Sequence, residues 1–176
     1  RLFLSARADT HIADMDMIVT ATSGAGKKVL DIMLVKPGCV ITDVARPLDL
    51  PPKEVAKRPD VLVVESGEIR LPGDVQMKNI GLPPNVAYAC LAETIVLALD
   101  GRFENFTVGR EIEWERVREI YRLGLKHGMQ LAAVSGVNGV FSDADIAKVR
   151  KLALAARKGS APKTPRKTKG AQHGTR

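Results

Sequence analysis

The sequence predicts an α/β protein built on a parallel β-sheet that is covered on both faces by helices. Three short runs of apolar or β-branched residues carry this prediction, at residues 17–21, 39–42 and 61–65. The runs are continuously apolar, which is typical of parallel strands buried on both faces. Ligands of open α/β sheets bind beyond the carboxyl ends of the strands. The residues that follow each run are therefore the first candidates for a binding site.

The segment after the first strand, residues 20–28 (TATSGAGKK), allows more than one nucleotide-binding interpretation. Gly24 and Gly26 begin a dinucleotide fingerprint, and Asp43 supplies the acidic residue at the end of the next strand. Val29 stands where the third small residue is needed, and residues 27–34 form only about two helical turns, which is short for that crossover. A Walker P-loop is excluded, because it needs Gly at Ala21 and Ser or Thr at Lys28.

A third interpretation makes these strands the second half of a Rossmann-like sheet. The loop after the first strand then lies beside the nicotinamide of a cofactor whose pyrophosphate is bound elsewhere. Small hydroxyl side chains suit that role, since they offer hydrogen bonds without blocking close approach. The residues concerned are Thr20, Ala21, Thr22, Ser23 and Gly24. An ordinary strand-to-helix turn at Ser23 and Gly24 explains the pattern equally well.

The remaining elements follow in order. Residues 2–5 are predicted to belong to a strand with which the sequence opens. Residues 51–58 are predicted to form a short helix with proline in its first turn. After a turn at residues 66–67, the alternation of residues 68–71 predicts one strand of a hairpin. A strongly apolar helix is predicted over residues 85–101, capped by Asn85 and ended by Gly101. Because it is apolar nearly all round, we expect it to be buried.

Two amphipathic helices are predicted to close the domain. The first covers residues 111–127, and its apolar face, which includes Trp114, is predicted to be core. The second begins at residues 142–145 (SDAD), where Ser142 matches a helix cap, and its apolar stripe contains Val149. Within the preceding apolar helix lies a single carboxylate, Glu93. A buried carboxylate must be paired or protonated, so Glu93 is either a structural acceptor or a site residue.

The net charge of +7 belongs to the carboxyl-terminal end of the chain. Residues 157–176 contain seven of the 27 Lys and Arg residues and no acid, which leaves 20 basic and 20 acidic residues in the rest. This segment has no apolar periodicity, so we predict a domain over residues 1–156 and a disordered basic tail over residues 157–176. Nucleic-acid binding is expected only through that tail.

Residue usage also restricts the kind of site and the compartment. Cys39 and Cys90 both lie in apolar runs and are predicted to be buried, reduced thiols of a cytoplasmic protein. The His and Cys spacings match no metal site, so no bound metal is expected. No apolar run approaches the about 18 residues that a membrane span needs. The first five residues lead at once into a charged segment, so no signal peptide is expected either.

A set of motifs in the second half of the chain carries a family resemblance. They are TDVARP at residues 42–47, VVESG at 63–67, ACLAE at 89–93, NFTVGR at 105–110 and KHG at 126–128. From about residue 16 to about residue 133 the chain resembles the carboxyl-terminal part of the long-chain acyl-(acyl-carrier-protein) reductases and related Rossmann dehydrogenases. The ACLAE helix followed by NFTVGR is the most specific part of the resemblance.

The resemblance implies reduction of a fatty acyl thioester to an aldehyde with NADPH as the hydride donor, through an acyl-enzyme on a cysteine; the cofactor expected for this chain is NADP or NAD. By position that cysteine falls near Pro72, where this chain has no thiol. The resemblance places Thr20, Ala21, Thr22 and Ser23 beside the cofactor. It places Asp43, Arg46, Ser66 and Gly67 near the reaction cleft, where Ser66 and Gly67 are expected to contact the cofactor. Arg46 is suited to binding a carboxylate or a phosphate.

The function expected from these observations is an NAD(P)-dependent oxidoreductase that acts on an acyl, aldehyde or keto substrate. Its expected catalytic residues are Asp43, Arg46 and Glu93, and its partners are a small-molecule or acyl substrate and a second copy of the chain. The alternative is a non-catalytic scaffold that binds a partner. That alternative is favoured by the incomplete Gly-rich loop and by the missing thiol near Pro72.

Overall fold

The structure is a computed structural model that describes residues 4–25, 27–78 and 80–159. Its first half contains the strands β1 (Met17–Thr20), β2 (Val40–Asp43) and β3 (Leu62–Glu65), with the short helix α1 (Pro52–Val55) between β2 and β3. Then follow β4 (Glu68–Arg70), β5 (Val86–Tyr88), α2 (Ala89–Leu99) and α3 (Trp114–Lys126). The chain continues through β6 (Gln130–Leu131), β7 (Ser135–Gly136), β8 (Gly139–Val140) and α4 (Asp143–Gly159).

The predicted α/β class is confirmed, and the main sheet is mixed. Its strand order is β1-β2-β3-β7-β8; the first three strands are parallel, while β7 joins β3 and β8 joins β7 in the antiparallel sense. The three parallel strands are the three apolar runs that predicted them. The parallel register pairs Thr20 with Asp43 and Asp43 with Glu65, so the carboxyl ends of these strands meet at one edge.

One face of the parallel strands is well covered, and the other face is partly open at β1. The core beneath the sheet includes Ile32, Cys39, Ile41, Leu50 and Val63, which are all buried. In β1, by contrast, Met17 is 64% exposed and Val19 is 58% exposed. The structure thus differs from the prediction of cover on both faces. A continuous apolar run does not by itself show whether a second layer lies against it.

The segment between β1 and β2 lacks the helix predicted over residues 27–34. Its only regular structure in the described residues is a single 3₁₀ turn, Ile32–Leu34, whose start is capped by the Asp31 carboxylate through the Met33 N–H. Val29 donates its N–H to the Asp49 carbonyl oxygen, which ties the segment to the loop after β2. Gly26, the second glycine of the fingerprint, lies outside the described residues.

A second, smaller sheet has the order β5-β4-β6 and is antiparallel. The hairpin predicted for β4 is wrong, because β4 pairs with β5 and β6 and not with β3. Residues 86–88 are a strand instead of the first turn of the apolar helix. Asn85 has a φ of +61° and exchanges hydrogen bonds with Val75, so it ends a loop instead of capping a helix.

The helices α2 and α3 pack against the second sheet. Their common core contains Leu71, Ala87, Ala92, Val96 and Met129, with Ile120 and Leu123 of α3 packed against it. The prediction that Trp114 is core is wrong, since its side chain is 59% exposed and lies under the Arg118 guanidinium, 4.6 Å from the ring centroid. The apolar face of α3 is wider than the surface that α2 covers.

The last helix, α4, begins as predicted. Ser142 Oγ accepts the Asp145 N–H, while an Asp145 carboxylate oxygen accepts the Ser142 N–H, so the two residues cap the helix reciprocally. Val149 of the predicted stripe is buried. No helix in the described ranges combines the length and the apolar character that a membrane crossing needs. Leu2 and most of the predicted tail, residues 160–176, lie outside the described residues.

Candidate functional site

The polar residues predicted as a site are brought together where the parallel strands end. We call this region the strand-end edge and define it as residues 20–24, 43–50 and 65–67. Because Thr20, Asp43 and Glu65 are in register on neighbouring strands, the three loops that follow them lie side by side. Parallel pairing therefore brings the predicted segments together as expected, and the contacts within them show what each side chain bonds.

Asp43 is buried and engaged with the backbone of its own loop. Its carboxylate is 1% exposed, with Oδ1 accepting the Ala45 N–H at 3.1 Å and Oδ2 accepting the Leu50 N–H at 2.9 Å. These bonds fix the loop over residues 44–50 against the end of β2. A catalytic role for Asp43 stays a prediction, and the contacts assign the carboxylate a structural task.

Asp49 is a second buried carboxylate at this edge, and the sequence reasoning missed it. It is 0% exposed; Oδ2 accepts the Thr22 N–H at 2.9 Å and Oδ1 accepts the Thr22 hydroxyl at 2.6 Å. Thr22 Oγ1 in turn accepts the Gly24 N–H at 3.1 Å. The partners are 27 residues apart, and no local pattern in the sequence joins them. The N–H and the hydroxyl of Thr22 are therefore both used in hydrogen bonds that hold the loop.

Gly24 is required by this close packing. A Cβ atom at Gly24 would lie 2.8 Å from Val29 Cγ2, which is closer than Cβ atoms approach in proteins, and 3.1 Å from Asp49 Oδ1, which is tighter than most Cβ contacts. The glycine therefore lets the loop fold back on Val29 and Asp49. Its neighbours on the same loop, Ala21 and Ser23, are exposed at the surface.

Thr20 carries an unsatisfied hydroxyl. It is 5% exposed, and within the described residues its Oγ1 is the one buried side-chain polar atom that has no hydrogen-bond partner. A buried hydroxyl without a partner is unfavourable, so such atoms are often found where a ligand supplies the missing bond. The position of Thr20 at the carboxyl end of β1 is the position at which ligands of α/β sheets bind. A cofactor contact of the Thr20 hydroxyl stays a prediction.

Arg46 connects the strand-end edge to the start of α2. Its Nη1 donates to the Ala45 carbonyl oxygen at 2.9 Å, and its Nη2 donates to the Ser66 carbonyl oxygen at 3.1 Å and lies 3.5 Å from Glu68 Oε1. The guanidinium carbon also stands 5.4 Å from the ring centroid of Tyr88, the residue before α2. Arg46 therefore spans both sheets.

The Ser66–Gly67 turn makes a second connection between the two regions. The Ser66 N–H donates to the Asp43 carbonyl oxygen at 3.0 Å, which holds the turn on the end of β2. The Gly67 carbonyl oxygen accepts the N–H of Ala89, the first residue of α2, at 2.7 Å. Gly67 has a φ of +82°, which glycine adopts without strain. The predicted cofactor turn is thus bonded directly to the helix that carries Cys90.

Beside α2 lies a cavity of about 420 Å³ that we call the apolar groove. Its walls come from α2 and α3, from the second sheet and from the residues that follow α3. The lining side chains are mostly apolar: Ile69, Ala89, Cys90, Ala92, Glu93, Val96, Thr107, Val117, Ile120, Tyr121, Gly124, Leu125, Met129, Gln130 and Leu131. A concave, mainly apolar site of a few hundred Å³ with few polar groups is typical of small-molecule binding.

Cys90 lies in this groove and is exposed. The prediction that it is a buried thiol is wrong, because α2 begins at Ala89 and Cys90 therefore occupies the first turn of the helix. Cys39 is 0% exposed as predicted, and burial raises the pKa of its thiol. Only one of the two cysteines can meet a substrate. A helix amino terminus also favours negative charge, such as that of a tetrahedral oxyanion.

Glu93 lies one turn after Cys90 and also lines the groove. One carboxylate oxygen accepts the Thr107 N–H at 3.1 Å and the other accepts the Thr107 hydroxyl. Glu93 therefore holds the loop between α2 and α3 against α2, where both Glu93 and Thr107 line the groove. The structure brings Glu93 together with Cys90 and not with Asp43, so the three predicted catalytic side chains fall in two regions.

The described residues contain no group of three or more His, Cys, Asp or Glu side chains arranged to hold a metal ion. What the two regions offer is a buried, unsatisfied hydroxyl at a strand end and an exposed thiol in an apolar groove. They are joined through Arg46 and the Ser66–Gly67 turn.

No family model matches the chain. Over 115 residues it is 37% identical to part of the aminotransferase PigE of Serratia sp., a match that covers 64% of this chain and 13% of that protein. Over 133 residues it is 26% identical to a long-chain acyl-[acyl-carrier-protein] reductase of Synechococcus elongatus, which covers 72% of this chain and 38% of the reductase. The chain thus spans only a minor part of either relative, and the similarity is partial.

Proposed function

We propose that this chain carries the acyl-binding part of an NAD(P)-dependent oxidoreductase that reduces a thioester-bound acyl group to an aldehyde, with Cys90 as the nucleophile. One observation carries the proposal: Cys90 is exposed in the first turn of α2 and opens into the apolar groove. The partial similarity to a long-chain acyl-[acyl-carrier-protein] reductase supports the same kind of reaction.

In the first step of the proposed reaction, the Cys90 thiol attacks the carbonyl carbon of the substrate thioester. The carbon–sulfur bond to the carrier breaks, a new thioester to Cys90 Sγ forms, and the carrier leaves as a free thiol that takes the proton. The groove orients the substrate by burying its apolar chain and keeps bulk water from the acyl-enzyme. The amino terminus of α2 favours the oxyanion that forms on the carbonyl oxygen.

In the second step the thioester carbon on Cys90 would be reduced, and a nicotinamide cofactor, when bound, would supply the hydride. The bond to Cys90 Sγ would then break, the aldehyde would leave, and the sulfur would take up a proton. The residues that would hold the cofactor are those of the strand-end edge, where Thr20 has an unpaired hydroxyl and the Ser66–Gly67 turn is bonded to α2. Arg46 bonds the Ser66 carbonyl oxygen and lies over the Tyr88 ring, so it would hold the two binding regions together.

Acyl transfer to Cys90 is the direct test, because it requires only the thiol and the groove. The chain is incubated with octanoyl-coenzyme A without any cofactor, and the acylated site is read by intact and peptide mass spectrometry. We expect one octanoyl group on Cys90 and release of free coenzyme A. Cys39→Ser is the matched control that removes the buried thiol and should retain acylation, while Cys90→Ser should lose it by roughly 10³-fold.

Addition of NADPH or NADH then tests the second step, with the aldehyde trapped as an oxime. Aldehyde formation in proportion to the acyl-enzyme consumed is the expected result. Failure of Cys90 to acylate in the folded protein would exclude the covalent mechanism and leave the non-catalytic scaffold as the better hypothesis. Acylation of Cys39 in place of Cys90 would contradict the assignment of the nucleophile.

A further inference from the structure

Gly124 is a helix-interior glycine that lines the apolar groove. It lies in the last turn of α3, which lines the groove together with α2, the helix that carries Cys90. Alanine is a better helix former than glycine, so the chain carries a weaker helix former here than the backbone alone would favour. Such departures from local preference are expected at functional sites.

The local structure does not require a glycine at this position. Gly124 is not among the glycines with positive φ, and a Cβ atom on it would meet only Met129, at 3.8 Å from Cβ and 3.9 Å from Sδ, which are ordinary contact distances. In Gly136 of β7, by contrast, a Cβ atom would lie 2.6 Å from the Val63 carbonyl oxygen. Close packing explains Gly136 and leaves Gly124 unexplained.

We propose that Gly124 determines the length of the acyl chain that the apolar groove accepts, because a side chain at this position would occupy the groove beside Met129. The inference rests on the proposed function, since it takes the groove to be the binding site of an acyl chain. To the proposed function, the inference adds Gly124 as the residue that limits the length of the acyl chain.

The expected size of the effect follows from apolar burial. Each methylene group that moves from water into an apolar site strengthens binding about fourfold. A leucine at position 124 would displace the last few carbons of a medium-length chain and would leave short chains unaffected. The consequence is a change in selectivity between chains, with the reactivity of the thiol itself unchanged.

Alkylation of Cys90 by N-alkylmaleimides measures this selectivity without any cofactor or turnover. Rates of modification by N-ethylmaleimide and N-octylmaleimide, below the micelle concentration, are compared for the wild-type chain, Gly124→Ala and Gly124→Leu. Cys90→Ser gives the background from Cys39. Ala98→Leu is the matched control, because Ala98 is an exposed residue of α2 that does not line the groove.

We expect the wild-type chain to react faster with the octyl reagent than with the ethyl reagent. Gly124→Leu should lower the octyl-to-ethyl ratio about tenfold or more, with the ethyl rate changed less than about twofold, and Gly124→Ala should give an intermediate ratio. Ala98→Leu should keep the wild-type ratio. Circular dichroism confirms the fold of each variant, and Gly124→Ala keeps the test valid if the leucine variant does not fold.

The two proposals fail in different ways. An octyl preference in the wild-type chain that persists in both Gly124 variants would overturn the role of Gly124 and leave the groove as an acyl site. The absence of any octyl preference in the wild-type chain would overturn the acyl groove itself, and with it the proposed function.

Discussion

At the carboxyl ends of β1 and β2 the carboxylates Asp43 and Asp49 are 1% and 0% exposed and hold backbone N–H groups, whereas in the apolar groove Cys90 is exposed. The strand-end edge therefore uses most of its polar side chains to fix its own loops. The groove keeps the Cys90 thiol accessible and surrounds it with mostly apolar walls. Polar residues that gather at the end of a parallel sheet can therefore be engaged in fixing the loops, while an accessible thiol lies elsewhere.

The largest effect is expected from removing a carboxylate of the strand-end edge. Asp49→Ala removes the buried, charged acceptor of two part-buried bonds, from the Thr22 N–H and from the Thr22 hydroxyl. A hydrogen bond to a charged group contributes about 1.5–3 kcal/mol, so we expect a loss of about 3–5 kcal/mol in the free energy of unfolding. Chemical denaturation measures it. Asp31→Ala is the matched control, since Asp31 accepts the Met33 N–H at the exposed surface and should cost under about 1 kcal/mol. Equal losses of unfolding free energy in the two variants would show that burial does not determine how much a carboxylate contributes to stability.

A smaller effect is expected from the carboxylate of the groove. Glu93→Ala frees the partly buried Thr107 from α2, and we expect a loss of about 1–2 kcal/mol together with faster hydrogen exchange at the Thr107 N–H. Glu93→Gln keeps an acceptor oxygen and should lose less. An unchanged rate of hydrogen exchange at the Thr107 N–H in Glu93→Ala would show that other contacts hold the loop. A loss of unfolding free energy as large as that of Asp49→Ala would show that the carboxylates of the two regions contribute equally to stability.

The strands and their common edge could be predicted because they depend on local and topological rules. The largely apolar or β-branched runs at residues 17–21, 39–42 and 61–65 predict strands, and parallel pairing alone brings Thr20 and Asp43 to one edge. The cap at Ser142 was also predictable, because its partner Asp145 is three residues away. These features require no knowledge of which distant segments meet.

The groove could not be predicted, because its formation depends on where a strand changes to a helix. Residues 85–101 are one apolar run, and an Asn at its start matches a helix cap, yet Asn85 pairs with Val75 and the helix begins at Ala89. That difference moves Cys90 from mid-helix to the first turn. The partnership of Asp49 with Thr22 also joins distant residues, so Asp49 was missed.

The connection between the two regions gives a third prediction, smaller than the first two. A double-mutant cycle with Arg46→Met and Tyr88→Leu should show a coupling of about 0.5–1 kcal/mol in unfolding, from the guanidinium over the ring. The exposed pair Arg118 and Trp114 is the control, and its coupling should be at the lower end of that range. Zero coupling between Arg46 and Tyr88 would mean that the contact with the ring does not help to hold the two regions together, which would leave the Arg46–Glu68 ion pair and the backbone bonds of the Ser66–Gly67 turn as their connection.

The smallest effect has the opposite sign and arises in the groove. Gly124→Ala should raise the free energy of unfolding by about 0.5–1 kcal/mol, because alanine loses less backbone freedom in a helix and its methyl group gains contact with Met129. Gly128→Ala, at the end of the same helix, is the control: its φ of +82° is unfavourable for alanine, so it should lose about 1 kcal/mol. Thermal and chemical denaturation measure both. If Gly124→Ala lowers stability, packing explains the glycine after all, whereas a more stable protein with a narrower groove would show that this position gives up helix stability to keep the groove open.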